Sequence, residues 1–259
     1  MTEIFQLEQR LEACLIRLKE ESGLCAVKAE FEAEGASFRD LARLRRLTAR
    51  HNVSLYLKIG GAEALRDIKD ALDLGVDGLI APMVESPFGV VKFTQAVESV
   101  FPGREIFKSI NIETRNAVDC VDDILSEAKG KVDNVTIGRT DLSHSYLDSE
   151  IQPDNEFIFD LIGQLSHKVQ ASGLALTVGG SITKGSIERF RQCRESWNGR
   201  LSSIETRKIV LSTEQMLGKE NALAEALRFE ELYLSSKLAT ETWLSQADRD
   251  RLVKLKKRI

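Results

Sequence analysis

Apolar residues recur along this chain in two alternating rhythms. Short β-rich stretches occupy residues 25–31 (CAVKAEF), 53–59 (VSLYLKI), 77–81 (DGLIA), 106–112 (IFKSINI), 134–137 (NVTI), 174–178 (LALTV) and 203–211. Between them lie stretches with helical spacing: 38–50, 62–74, 89–100, 118–128, 156–171 and 185–193. A long loop separates the strand at 134–137 from the helix at 156–171. Strict strand–helix alternation predicts parallel strands, because each crossover must carry the chain back to the same edge. Several strands read as apolar runs rather than clean alternation, as when both faces are buried. The expectation is an α/β fold, a TIM-type (β/α)8 barrel. Only seven strands are visible, so either an eighth hides near the N-terminus or the barrel is modified. A doubly wound open sheet is the competitor, and it is disfavoured because the G-x-G-x-x-G fingerprint is absent. Residues 4–21 read as a helix ahead of the first strand, and 214–259 as two helices broken near Ala239-Thr240, the second running over 243–259. The expected organisation is a catalytic barrel over 1–213 and a helical extension over 214–259.

With 259 residues, 42% of them hydrophobic, the chain can bury one barrel-sized core. The net charge of −4 gives no concentrated positive field for nucleic acid. The basic cluster Lys254, Lys256, Lys257 and Arg258 fits dipole compensation at a helix C-terminus. The first residues are charged throughout and unlike a signal peptide, and no run approaches the roughly 20 apolar residues of a membrane span, so cytoplasm is the default. The four cysteines lack C-x-x-C spacing and read as reduced thiols. Leu227, Leu232, Leu234, Leu238, Trp243 and Leu244 offer apolar area beyond the needs of a barrel, which predicts a homo-oligomer contact.

In a barrel the chemistry sits at the C-terminal ends of the strands. The fourth strand ends in Asn111-Ile112-Glu113-Thr114 and the fifth in Gly138-Arg139-Thr140-Asp141. Two carboxylates at neighbouring strand ends would repel unless a cation or proton lay between them. With waters and substrate oxygens they would make a hard-oxygen site suited to Mg²⁺ or Mn²⁺. The alternative is local: Asp141 capping a short helix, Glu113 paired with Arg115 or Arg139.

The segments APMVESP (81–87), INIET (110–114) and IGRTDLSHS (137–145) resemble the HpcH/HpaI aldolase/citrate lyase family of the phosphoenolpyruvate/pyruvate barrels, with the likeness spanning roughly residues 25–211. The resemblance implies a modified eight-stranded barrel, Glu113 and Asp141 as metal ligands, and trimers or hexamers that exchange a C-terminal helix. It implies cleavage of a carbon–carbon bond in a 2-oxo acid or related carboxylate through a pyruvate-type enolate. The chain also departs from the family. Lys58 stands where many members carry arginine, and lysine lacks arginine's bidentate fork. The carboxylate-binding role could instead pass to Arg139 or Arg207. No histidine follows the first strand; the stretch reads Glu30-Phe31-Glu32-Ala33-Glu34-Gly35, and Glu30 and Glu32 share a face where they could hold a base water or a ligand. His144, in the loop after Asp141, is the one histidine placed for acid–base work, with a surface residue as the alternative. Gly179-Gly180 ends a strand before a helix and could cradle an anion, or could serve a tight turn. Candidate residues are thus Lys58, Arg139, Glu32 and His144 for catalysis, Asn111, Gly179, Gly180, Arg207 and Glu30 for substrate, and Glu113 and Asp141 for metal. Two other functions compete: phosphoenolpyruvate chemistry on the same site, and a non-catalytic binding or assembly barrel.

Overall fold

The computed structural model describes residues 2–197 and 199–258. The chain runs α1 (Thr2–Glu21), β1 (Leu24–Glu30), α2 (Phe38–Arg50), β2 (Ser54–Lys58), α3 (Leu65–Leu74), β3 (Gly78–Ala81), α4 (Pro87–Val100) and β4 (Phe107–Ile112). It continues through α5 (Arg115–Asp119), α6 (Val121–Ala128), β5 (Asn134–Gly138), α7 (Arg139–His144), α8 (Glu156–Ala171), β6 (Ala175–Gly179), α9 (Lys184–Gln192) and α10 (Arg194–Trp197). The last elements are β7 (Ser203–Glu205), β8 (Ile209–Ser212), α11 (Thr213–Gly218), α12 (Ala222–Leu244) and α13 (Gln246–Lys256).

The strands close into a barrel in sequence order, and β1 to β7 are parallel. The eighth strand lies inside the stretch read as the seventh. Residues 203–211 fold back on themselves, so β8 pairs antiparallel with both β7 and β1. A short turn, in which the Thr206 amide donates to the Ile209 carbonyl at 2.8 Å, reverses the chain. The barrel is therefore of TIM type with its closing strand inverted.

Local sequence explains many boundaries. Ser37 and Asp40 form a capping box at the start of α2, Ser86 caps α4 with Pro87 in its first turn, and Thr183 with Ser186 caps α9. Other boundaries differ from expectation. The helix expected over 118–128 is two pieces meeting at Cys120, and the loop after β5 opens with α7. The C-terminal break falls at Ser245, because α12 continues unbroken through Ala239 and Thr240, whose hydroxyl bonds the Ser236 carbonyl. Ile259, the expected end of the last helix, lies outside the described residues.

The apolar core sits between the barrel and its helices rather than inside the barrel. Outward residues such as Leu55, Leu57, Ile110, Val135, Val178 and Ile204 belong to it, packed under Phe93, Ile162 and Phe190. The alternate, inward residues are largely polar or charged: Lys28, Lys58, Ser109, Asn111, Asn134, Thr136, Thr177, Ser203 and Glu205 are all buried. Helix α12 packs along α1 and contributes Leu227 and Glu230 to the barrel mouth, whereas α13 buries no residue. No described helix is long and apolar enough to cross a membrane.

Candidate active site

A cavity of about 380 Å³ opens at the C-terminal ends of the strands. Six carboxylates line it: Glu30, Glu32, Glu113, Asp141, Glu205 and Glu230. Among the described residues three cations answer them, Lys28, Lys58 and Arg207.

Glu113 follows β4 and is almost wholly enclosed, 2% exposed. Its Oε1 accepts the Met83 amide at 3.0 Å, its Oε2 accepts Asn111 Nδ2 at 3.0 Å, and Lys58 Nζ stands 3.6 Å from Oε1. Burial pushes the Glu113 carboxyl above its usual range; Lys58 and the two donors pull against that, and Asp141 adds to it. Asp141, on the first turn of α7, is exposed and lines the same cavity. The backbone makes room for this pair: a Cβ on Gly138 would lie 2.4 Å from Glu113 Oε2.

Lys58 ends β2 and bridges Glu32 at 2.9 Å and Glu113. Burial works to lower its pKa, but Glu113 and Glu32 outweigh it and raise the value, so Lys58 is a fixed cation. On the neighbouring strand β1, Lys28 Nζ bonds Glu205 Oε1 at 2.5 Å and approaches Glu30 at 3.3 Å. Despite full burial these partners raise its pKa, so it too is charged. Glu30 is held below the usual carboxylate range, because Lys28, Lys58 and Arg207 together overcome its burial. Arg207, in the β7–β8 turn, sits 3.7 Å from Glu30 with its side chain 50% exposed, free to reach a ligand.

The candidates Lys58, Glu32, Glu30, Asn111, Arg207, Glu113, Asp141 and Gly180 thus share one cavity. Three other candidates lie outside its lining. Arg139 does not face it. Its side chain is fully buried and donates to the carbonyls of Gly179, Gly180, Ser181 and Pro153 and to Asp154 at 2.7 Å. Two residues before Asp141 on α7, it points to the opposite side of that helix and clamps the β6–α9 loop. His144 is exposed at the far end of α7 and does not line the cavity. Gly179 lies outside the lining as well; a Cβ there would come 2.6 Å from Glu205 Cγ, so it makes room for Glu205. Gly180, at φ +85°, would meet the Thr140 amide at 2.6 Å, which explains the glycine by close packing.

Lys28, Glu205 and Glu230 were not anticipated. Lys28 alternates with Glu30 in the first strand, and Glu205 with Ser203 in the seventh, which was a readable signal. Glu230 arrives from α12, which strand-end reasoning does not reach.

Among the described residues no three His, Cys, Asp or Glu side chains assemble as a ready cation cage. The pair Glu113 and Asp141 nonetheless suits a hard cation that keeps water or substrate oxygens as its other ligands. The buried Asn111 Oδ1 beside them finds no donor among the described residues. The excess of carboxylates over cations also favours added positive charge.

The family model for HpcH/HpaI aldolase/citrate lyase matches residues 42–183. No curated protein sequence matches the chain. Among solved structures, an HpcH/HpaI aldolase from Desulfitobacterium hafniense is similar at 17% identity over 76% of this chain and 81% of that one, with a TM-score of 0.59. A HpcH/HpaI aldolase/citrate lyase family protein from Burkholderia cenocepacia is similar at 19% identity over 85% and 89%, with a TM-score of 0.59. The citrate synthase SbnG is similar at 18% identity over 92% and 89%, also with a TM-score of 0.59.

Proposed function

Because the chain belongs to the HpcH/HpaI aldolase/citrate lyase family, we propose that it is a divalent-metal-dependent carbon–carbon lyase acting on a 2-oxo acid or a related carboxylate. The observation that carries this reading is the Glu113–Asp141 pair in a cavity holding twice as many carboxylates as cations. A small dianionic substrate would be repelled there without a cation. Mg²⁺ or Mn²⁺, held by Glu113 and Asp141, would supply the positive charge that stabilises an enolate oxygen as it develops.

The chain's own residues do the rest. Asn111 and the Met83 amide fix the two oxygens of Glu113 and so orient it. Lys58 keeps positive charge beside Glu113 and holds Glu32 at its side through their 2.9 Å ion pair. Glu32, 27% exposed at its side chain, is the carboxylate placed to take a hydroxyl proton from substrate. Arg207 is the exposed fork for a substrate carboxylate.

The test needs no knowledge of the natural substrate. Wild-type protein with Mg²⁺ is expected to exchange the C3 protons of pyruvate with deuterium. Glu113→Ala and Asp141→Ala are each expected to abolish the exchange. Metal-independent exchange, or full activity in both variants, sinks the proposal. Helix α12 exposes Leu234, Leu238 and Trp243 and α13 exposes Leu252, Val253 and Leu255, so we propose this extension as a contact between copies of the chain. All four cysteines are free, which fits a reducing compartment, and we assign the enzyme to the cytoplasm.

A further inference from the structure

Barrel interiors are usually filled with bulky branched side chains. Below the catalytic cavity this one carries a connected set of polar side chains beside apolar walls formed by Tyr56, Ile80, Phe107 and Val210. Thr177 Oγ1 lies 2.7 Å from Ser203 Oγ and donates to Asn134 Oδ1 at 3.1 Å. Asn134 Nδ2 donates to Ser109 Oγ at 2.9 Å, and Ser109 lies 3.2 Å from Thr136 Oγ1. These hydroxyls and the amide border a cavity of about 170 Å³, room for several waters, each needing roughly 30 Å³. A hydroxyl offers one donor and two acceptor positions, so the network keeps unused capacity for water. Two ends of the cavity matter. At the N-terminal face it reaches Cys25, which is exposed beside an irregularity in the β1–β8 pairing. At the other end it reaches Glu205, which also lines the catalytic cavity. Lys28 holds Glu205 Oε1, and no histidine among the described residues lines the catalytic cavity.

We propose that the barrel lumen is a water-filled passage that carries protons from the N-terminal face to the catalytic cavity through Glu205. The inference rests on the enolate chemistry proposed above. When the carbon–carbon bond breaks, its electron pair stays with the enolate, whose carbon then takes a proton. Each proton delivered at the Glu205 end is replaced by one entering from solvent at the Cys25 end, so charge and atoms balance without any co-reactant. The proton removed from the substrate hydroxyl leaves by the mouth, on the Glu32 side.

The experiment has two readouts. A high-resolution crystal structure of the wild-type protein is expected to show ordered waters joining Thr177 and Ser203 to Glu205. Pyruvate C3 exchange in deuterium oxide is then measured with Mg²⁺ before and after a bulky methanethiosulfonate reagent caps Cys25. Capping is expected to slow exchange about tenfold or more without changing pyruvate affinity. Dithiothreitol should restore the rate, and Cys25→Ser protein should ignore the reagent. Thr177→Val, an isosteric change that breaks the hydroxyl chain, should slow exchange in the same way. A dry lumen overturns the passage while leaving the lyase reading standing. Unaltered exchange in the capped enzyme overturns it too, as does equal inhibition of Cys25→Ser. A wet lumen in a protein that never exchanges pyruvate protons removes the enolate chemistry and the passage with it.

Discussion

Replacing Gly138 with alanine adds one methyl group against the carboxylate on which the metal site depends. Gly138 has φ −87°, which alanine adopts without strain, so the backbone carries no penalty. The new Cβ would lie 2.4 Å from Glu113 Oε2 and 3.0 Å from Glu113 Cβ. Nonbonded contacts settle near 3.5 Å, so the carboxylate must retreat by about 1 Å. It cannot do so and keep both donors, the Met83 amide and Asn111 Nδ2. A hydrogen bond to a charged group contributes about 1.5–3 kcal/mol. Losing the orientation that one such bond provides should weaken metal binding roughly ten- to a hundredfold, at about 1.4 kcal/mol per factor of ten. Mn²⁺ titration calorimetry reads the affinity, and thermal unfolding of the metal-free protein checks that the variant still folds cooperatively. Unchanged Mn²⁺ affinity in a folded Gly138→Ala protein refutes the assignment of Glu113 as a ligand.

Arg139→Met should destabilise the protein by about 3 kcal/mol or more, since it strands buried carbonyls of the β6–α9 loop; a loss well under about 1 kcal/mol in urea unfolding would remove the clamp role. Lys58→Met should cut pyruvate exchange about 100-fold while raising KM little, and a pure KM effect would make Lys58 a binding residue only. Asp40 is pushed up by burial but held below the usual range overall by Ser37 and Lys237. Its folded pKa is thus depressed, so its stabilisation is present above the unfolded value of 3.8 and fades as pH falls through the lower folded one. Asp40→Asn should therefore cost stability at pH 6 and progressively less below pH 4, and a pH-independent difference in chemical denaturation would contradict this. Leu238→Glu combined with Trp243→Glu should lower the molar mass seen by light scattering without unfolding the barrel, and an unchanged mass would place the contact elsewhere.

The barrel was legible because its outward residues carry the apolar signal: Leu55 and Leu57, Ile110 and Ile112, and Val135 and Ile137 all face the helices. The inverted strand was not, because its turn, Thr206-Arg207-Lys208, holds no glycine, proline or asparagine to mark a reversal. The places of Glu113, Asp141 and Asn111 at the mouth could be anticipated from strand ends, since a barrel brings all such ends together, while Lys58 was singled out through the family resemblance. Arg139 misled for a physical reason: nearness to Asp141 in sequence becomes opposition on a helix, where two residues turn the chain by about 200°. The clustering of Lys28 with Glu205 depends on β8 pairing with both β7 and β1, which brings those two strands to either side of it and which spacing within either strand does not reveal. Glu230 depends on where α12 lies, a matter of tertiary packing.

The account stands most directly on what occupies the space between Glu113 and Asp141. Crystals grown with Mn²⁺ and oxalate, a mimic of an enolised 2-oxo acid, can be measured by anomalous diffraction. The expected result is one peak in direct coordination with both carboxylates and with oxalate, with the far oxalate oxygens toward Lys58 or Arg207. A peak held elsewhere in the cavity, or oxalate bound with no metal beside Glu113 and Asp141, would contradict the account.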